Sequence, residues 1–180
     1  MSATLCALLR GVNVNGVTIR MSELQSAFVD LGFAHVKTVL NTGNVVFSAA
    51  APAPMPSLKA AAEAALSRRF AYDAHVFLRG ADEIGDILKA AQSIPVPDGC
   101  HHYVLLCEDS SIPERLAVLF ESVQRAPEER LIPRGREAFL LFPSGHCRHV
   151  RAVQKLDLQA VRAAVAVVVL WLAPGFVNWF

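Results

Sequence analysis

The sequence has almost no excess of charge of either sign. It contains 17 Lys and Arg residues against 16 Asp and Glu residues, which gives a formal net charge of +1 at pH 7. A balance of this kind creates no global field that would draw the protein to nucleic acid or to an acidic membrane. Binding to either partner would therefore require a local cluster of basic side chains.

Long apolar runs are also missing. The longest uninterrupted apolar run covers 11 residues, from Ala163 to Ala173, and Pro174 follows it. A helix that spans a bilayer needs about 20 such residues. The N-terminus has no basic segment before its apolar run, and Arg10 interrupts that run, so no signal peptide is predicted. We therefore predict a cytoplasmic protein without a membrane partner, in which residues 156–172 form a buried helix.

Cysteine is scarce, and its spacing fits neither a redox pair nor a zinc site. The cysteines are Cys6, Cys100, Cys107 and Cys147, and no C-x-x-C pair occurs among them. Histidines lie near two of them, at 101–102 and at 146 and 149, but not at the spacing that lets two ligands share one ion. We expect reduced, mostly buried thiols, no metal site and no cofactor.

What is present is a repeated order of short strands and helices. Strand-like runs are predicted at residues 4–9, 36–40, 45–48 and 75–79, and helical patterns at residues 21–31 and 57–69. Ser22 with Gln25 has the pattern of a capping box, and Gly32 stands where the first helix should end. This βαββαβ order is that of the ferredoxin-like fold.

The same order begins again after a break at residues 94–99, which contain two prolines and a glycine. A helix is predicted at residues 82–91 before the break. After it we predict strands at 103–107, 130–132 and 138–142 and a helix at 112–123, whereas a final strand is not evident. The predicted fold class is α+β, with tandem ferredoxin-like subdomains built on antiparallel sheets. The predicted divisions are residues 1–80, a connecting helix and linker at 81–98, and residues 99–180, whose tail is atypically apolar from about residue 147.

The loop after the first strand is the main candidate for a binding site. Gly11 to Thr18 reads G-x-x-x-x-G-V-T in the setting of a phosphate-binding loop, but Val17 replaces the lysine, which argues against hydrolysis of nucleoside triphosphates. A weaker site for a small anionic or nucleotide-like ligand is predicted instead. An ordinary glycine-rich turn is the alternative interpretation. The candidate ligand-binding residues are Arg10, Gly11, Asn13, Asn15, Asn41, Gly43 and Asn44.

Arginine is concentrated in the second half of the chain. A phosphate-tracking surface could be built there, although a solvated hairpin explains the same residues equally well. The candidates for nucleic-acid binding are Arg130, Arg134, Arg136 and Arg148. No aromatic RNA-binding strand motif accompanies them, so nucleic-acid binding is the alternative hypothesis.

No motif for nucleophilic catalysis stands out, since a G-x-S-x-G sequence is absent. This absence is not evidence against an enzyme, and a protein that binds without catalysing a reaction is our first hypothesis. An enzyme that uses Cys147 or a histidine is a further alternative.

Several spaced blocks resemble one bacterial family. They are A-L-L-R-G-V-N-V at residues 7–14, M-S-E-L at 21–24, L-G-F at 31–33 and T-G-N-V-V-F at 42–47. In these blocks the chain is similar to the family known as domain of unknown function 1697. The resemblance covers about the first 145 residues and implies the tandem ferredoxin-like architecture. It implies no established activity, cofactor or substrate.

The end of the chain departs from that family. Where its members look like G-x-G-R-S-K-L, residues 145–151 read G-H-C-R-H-V-R, and the later polar T-x-R-N-W-N-T segment is missing. Our hypothesis is that the reading frame was altered near Cys147, so that this protein is an impaired family member. Any site that needs the polar segment would then be incomplete.

Overall fold

Two antiparallel sheets of four strands each form the framework of the protein. The computed structural model describes residues 2–10, 12, 18–39, 43–50, 54–122, 125–143 and 165–168. The chain divides into two compact units, Met1–Asp86 and Ile87–Phe180. The finer division at residues 80 and 98 stays a prediction.

The first unit has the predicted ferredoxin-like order. Its strands are β1 (Ser2–Arg10), β2 (Ala34–Val39), β3 (Asn44–Ala50) and β4 (His75–Gly80), and its helices are α1 (Met21–Asp30) and α2 (Met55–Phe70). A third helix, α3 (Ala81–Gln92), follows β4. The strands lie in the order β2-β3-β1-β4, and every neighbouring pair is antiparallel. The split βαβ arrangement is thereby confirmed.

The core of this unit follows from the alternation of side chains along the strands. Leu9 of β1, Val45 and Phe47 of β3, and Leu24 and Phe28 of α1 belong to one buried apolar cluster. Because successive side chains on a strand point to opposite faces, the neighbours of these strand residues lie on the other face of the sheet. That second face is also buried in its middle, where Cys6, Leu8 and Phe77 are less than a tenth exposed.

The ends of α1 show one confirmed and one wrong prediction. Gly32 adopts φ +82°, and its N–H donates to the carbonyl of Val29 at 2.8 Å, as expected for a residue that ends a helix. The capping box is wrong, because α1 begins at Met21 after Arg20 and no side chain caps it. Gln25 instead donates from Nε2 to the carbonyl of Val36 at 2.8 Å and ties α1 to β2.

The second unit repeats the strand order of the first. It contains β5 (Cys100–Cys107), α4 (Ser111–Glu121), β6 (Arg130–Arg134), β7 (Glu137–Pro143) and β8 (Val165–Val168). The strand order is β6-β7-β5-β8, again with antiparallel neighbours throughout. The predicted α+β class with two antiparallel sheets is therefore confirmed.

The predicted helix at residues 156–172 is wrong where the structure describes it. Val165–Val168 form β8, with Val165 opposite Cys107 and Val168 opposite Val104. Valine is β-branched and favours extended backbone, and β5 offers unpaired backbone groups on this side. The other residues of that predicted helix lie outside the described part of the chain. No helix among the described residues is long and apolar enough to cross a membrane.

His102 is a polar side chain buried in the second sheet. It is 8% exposed, its ring lies 5.7 Å from that of Phe139, and neither ring nitrogen has a hydrogen-bond partner among the described residues. Burial lowers the pKa of His102 below 6.5, because the charged imidazolium is poorly solvated there. His102 therefore binds a proton less readily in the folded protein than in the unfolded chain.

We expect the free energy of unfolding to fall as the pH decreases below about 6.5, where the unfolded chain binds the proton first. His102→Leu should remove this part of the pH dependence. It should also raise the free energy of unfolding at pH 7.5 by about 1 kcal/mol, because a buried unsatisfied polar group is lost. Urea denaturation between pH 5 and 8 measures both effects. A pH profile that is identical in His102→Leu and the parent protein would contradict the assignment.

Candidate functional site

Three candidate ligand-binding residues that the structure describes meet at one end of the first sheet. Arg10 is the last residue of β1, and Asn44, preceded by Gly43, is the first residue of β3. Because β1 and β3 are antiparallel, the end of one lies beside the start of the other, with Leu8 opposite Asn44. The remaining candidates, Gly11, Asn13, Asn15 and Asn41, lie outside the described residues.

The polar side chains at this end share one face of the sheet. Leu9, Val45 and Val76 point into the apolar cluster beneath the helices, so the adjacent residues Arg10, Asn44 and His75 lie on the opposite face. Arg10 stands directly opposite His75 on β4. Asn44 is a diagonal neighbour of Arg10, a placement that separates Cα atoms by about 7 to 8 Å. We call Arg10, Gly43, Asn44 and His75 the strand-end site.

Gly43 leaves room for Val12 beside the start of β3. It is buried and adopts φ +79°, a conformation that glycine tolerates and other residues rarely adopt. A Cβ atom at Gly43 would lie 3.1 Å from Cβ of Val12 and 3.3 Å from Cβ of Leu9. Val12 and Ile19 are both buried in the apolar cluster. The core therefore holds the chain on both sides of residues 13–17.

His75 is the member of the strand-end site that the sequence analysis missed. Its side chain is 29% exposed, and Nε2 lies 3.2 Å from Oδ2 of Asp73, whose side chain is almost fully exposed. The sequence signal that could have identified His75 was its position at the start of a predicted strand. Arg10 and Asn44 are likewise half-buried. The site thus combines one permanent cation, one amide and one imidazole at the rim of a buried face.

The arginine-rich hairpin carries mixed charge. Arg130 and Arg134 are exposed at the two ends of β6, and Arg134 stands directly opposite Glu137 of β7. Arg136 is half-buried in the turn between the strands, and Arg148 lies outside the described residues. Each described arginine therefore has a carboxylate nearby in the sequence or across the hairpin.

A cleft of about 580 Å³ lies between the end of α4 and β6. Its charged lining residues are Glu121, Arg125, Glu129 and Arg130. Arg125 is already engaged, since it forms an ion pair with Glu121 and donates from Nη1 to the carbonyl of Phe120 at 3.1 Å. Acidic and basic groups thus alternate in the cleft, and they produce no continuous positive surface.

Cys6 and Cys100 lack the lowered thiol pKa that is typical of a nucleophilic cysteine. Burial raises the pKa of Cys6 to about 11. The pKa of Cys100 is also raised, first by burial and then by the charge of Glu128. Reactive cysteines show the opposite shift. Cys147, the predicted alternative nucleophile, lies outside the described residues. Within the described ranges no three His, Cys, Asp or Glu side chains converge as metal ligands.

Comparisons with known proteins place the chain by family and by fold. The family described as "Protein of unknown function (DUF1697)" matches residues 2–139. The structure of the conserved bacterial protein SP0830 from Streptococcus pneumoniae superposes with a TM-score of 0.70 at 18% sequence identity, over 93% of this chain and 92% of that one. At this identity the likeness shows the fold alone. A search of curated proteins gives no match.

Proposed function

This chain belongs to the DUF1697 family of proteins of unknown function, and from that premise we propose that it is a non-enzymatic protein that binds a small anionic or nucleotide-like ligand. The proposed site is the loop of Arg10, Gly11, Val12 and Asn13 together with the strand-end site. The observation that carries the proposal is that Arg10 and Asn44 lie on one face at one end of the first sheet. The proposal includes the cytoplasmic location predicted from the sequence.

Each described group would have a distinct role in binding. The guanidinium of Arg10 offers several N–H donors in a planar fork that suits phosphate or carboxylate oxygens. The amide of Asn44 can both donate and accept, so it would fix the orientation of the ligand. Gly43, which has no Cβ atom, would allow Val12 to lie close beside them. Preorganisation of this kind lowers the entropic cost of binding.

A non-enzymatic role agrees with the chemistry of the described side chains. The thiols of Cys6 and Cys100 have raised pKa values, which disfavours the thiolate that a nucleophile needs. The hairpin arginines support no second proposal, because Glu137 opposes Arg134 and carboxylates line the neighbouring cleft. Binding to nucleic acid is the alternative that a ligand screen distinguishes.

The test is a thermal-shift screen of the purified protein against nucleotides, sugar phosphates and short oligonucleotides. A ligand that binds the folded state alone raises the melting temperature. We expect a hit among the anionic small molecules. Arg10→Ala should weaken its binding by about 10- to 100-fold, which corresponds to the loss of a charged hydrogen bond. Titration calorimetry would measure the affinity.

The matched control is Arg68→Ala, which removes an exposed arginine from α2 of the same unit. It should leave the affinity unchanged. The proposal fails if no anionic small molecule stabilises the cooperatively folded protein, or if Arg10→Ala binds as tightly as the parent protein. A shift confined to oligonucleotides and suppressed steeply by salt would favour nucleic-acid binding instead.

The altered reading frame stays a separate hypothesis. The family match ends at residue 139, before Cys147, and the tail beyond 147 lies outside the described residues except for β8. Resequencing of the locus tests the hypothesis directly. If no one-base shift restores the polar family segment, the hypothesis of an impaired family member is removed.

A further inference from the structure

We infer that the ligand of the strand-end site carries a phosphate dianion that Arg10 and His75 hold together, an inference that rests on the proposed function. Arg10 and His75 are directly opposite residues of the antiparallel pair β1 and β4. Side chains that oppose each other in this way start from Cβ atoms about 4.5 to 5.5 Å apart on the same face. Arg10 and His75 can therefore contact the same phosphate group.

The number of donors at the strand-end site favours a phosphate over a carboxylate. A carboxylate has one charge and two oxygens, which the fork of a single arginine satisfies. A phosphate monoester carries nearly two charges at neutral pH and three terminal oxygens. Compared with a carboxylate, the phosphate has one more oxygen and nearly one more charge, and a second donor beside the arginine would satisfy them. His75 is the titratable side chain that the register places next to Arg10 on this face.

Asp73 determines which nitrogen of His75 meets the ligand. Nε2 lies 3.2 Å from Oδ2 of Asp73, so this nitrogen is committed to the carboxylate. The other ring nitrogen, Nδ1, is then the one that can meet a phosphate oxygen. Because the Asp73 side chain is 91% exposed, water screens its charge, and its repulsion of an incoming anion is weak.

The experiment compares two ligands that differ mainly in the anionic group, glycerol 3-phosphate and glycerate, with inorganic phosphate as a third probe. Titration calorimetry would give the affinity of each for the full-length protein. We expect glycerol 3-phosphate to bind at least about tenfold more tightly than glycerate, as one additional charged hydrogen bond implies. Inorganic phosphate should compete with glycerol 3-phosphate.

Three variants assign the effect to His75. His75→Gln should weaken binding of glycerol 3-phosphate about tenfold and leave binding of glycerate nearly unchanged. His75→Lys keeps a cation at this position and should retain most of the affinity for phosphate. His35→Gln makes the same change at an exposed histidine of β2 and serves as the matched control. Thermal melts would verify that each variant is folded.

The outcomes separate this inference from the proposed function. If glycerate binds as tightly as glycerol 3-phosphate, the phosphate inference fails and anion binding at Arg10 stands. If His75→Gln binds both ligands as the parent protein does, the role of His75 is overturned. If none of the anions in either experiment binds, both the inference and the proposed function fail.

Discussion

Phe47→Ala is expected to lower the free energy of unfolding by about 3 to 5 kcal/mol, the usual cost of removing a buried phenylalanine ring. Phe47 is 1% exposed on β3, one of the two inner strands of the first sheet. Its ring centroid lies 4.4 Å from that of Phe33 and 5.3 Å from that of Phe28. The substitution removes both aromatic contacts and leaves a cavity that the surrounding sheet cannot close.

Urea denaturation followed by circular dichroism measures the loss. Phe47→Leu should cost markedly less than Phe47→Ala because it retains most of the apolar volume. Val29→Ala is the control, since Val29 is 53% exposed on α1 and surface truncations usually change stability by less than about 0.5 kcal/mol. A loss below about 1 kcal/mol for Phe47→Ala would contradict the described packing.

Gly43→Val is expected to cost about 2 to 5 kcal/mol, because a strained backbone conformation and overpacking act together. The φ of +79° is unfavourable for a β-branched residue. The new Cβ would also begin 3.1 Å from Cβ of Val12, where the neighbour must move. Since Val12 anchors the loop that follows β1, the substitution should also weaken binding at the strand-end site.

A pair of alanine variants separates the two causes. Gly32 has nearly the same φ, +82°, but a Cβ atom there would meet nothing within 4 Å. Gly32→Ala therefore reports the backbone cost alone, about 1 to 2 kcal/mol. Gly43→Ala should cost more than Gly32→Ala by the energy of the crowded contact. Equal losses in the two variants would show that Val12 moves aside freely.

Most of the fold could be predicted, because its strands and helices have clear apolar patterns bounded by turn residues. The end of α1 was readable from Gly32, whose positive φ is a local property. The contacts of Gln25 near its start were not, because Gln25 makes a tertiary hydrogen bond to Val36 that no local pattern reveals. β8 was missed because a uniformly apolar run has no period that distinguishes helix from strand. Pairing with β5 decides its conformation.

The strand-end site was predictable in part. Arg10 and Asn44 could be expected near each other, because the ferredoxin-like order places the end of β1 beside the start of β3. His75 could not, since the register of β1 against β4 determines its neighbour. A shift of one residue would have moved His75 to the apolar face. The other candidate ligand-binding residues, Gly11, Asn13, Asn15 and Asn41, stay predictions.

The position of β8 has a consequence for the apolar tail. β5 lies between β7 and β8, and residues 104–107, which pair with β8, are all at most 2% exposed. A chain terminated before Val165 would turn this hydrophobic strand into an open edge, and such edges recruit strands from other molecules. Whatever the origin of the tail, its four-residue strand covers this side of β5 and makes β5 an inner strand of the sheet.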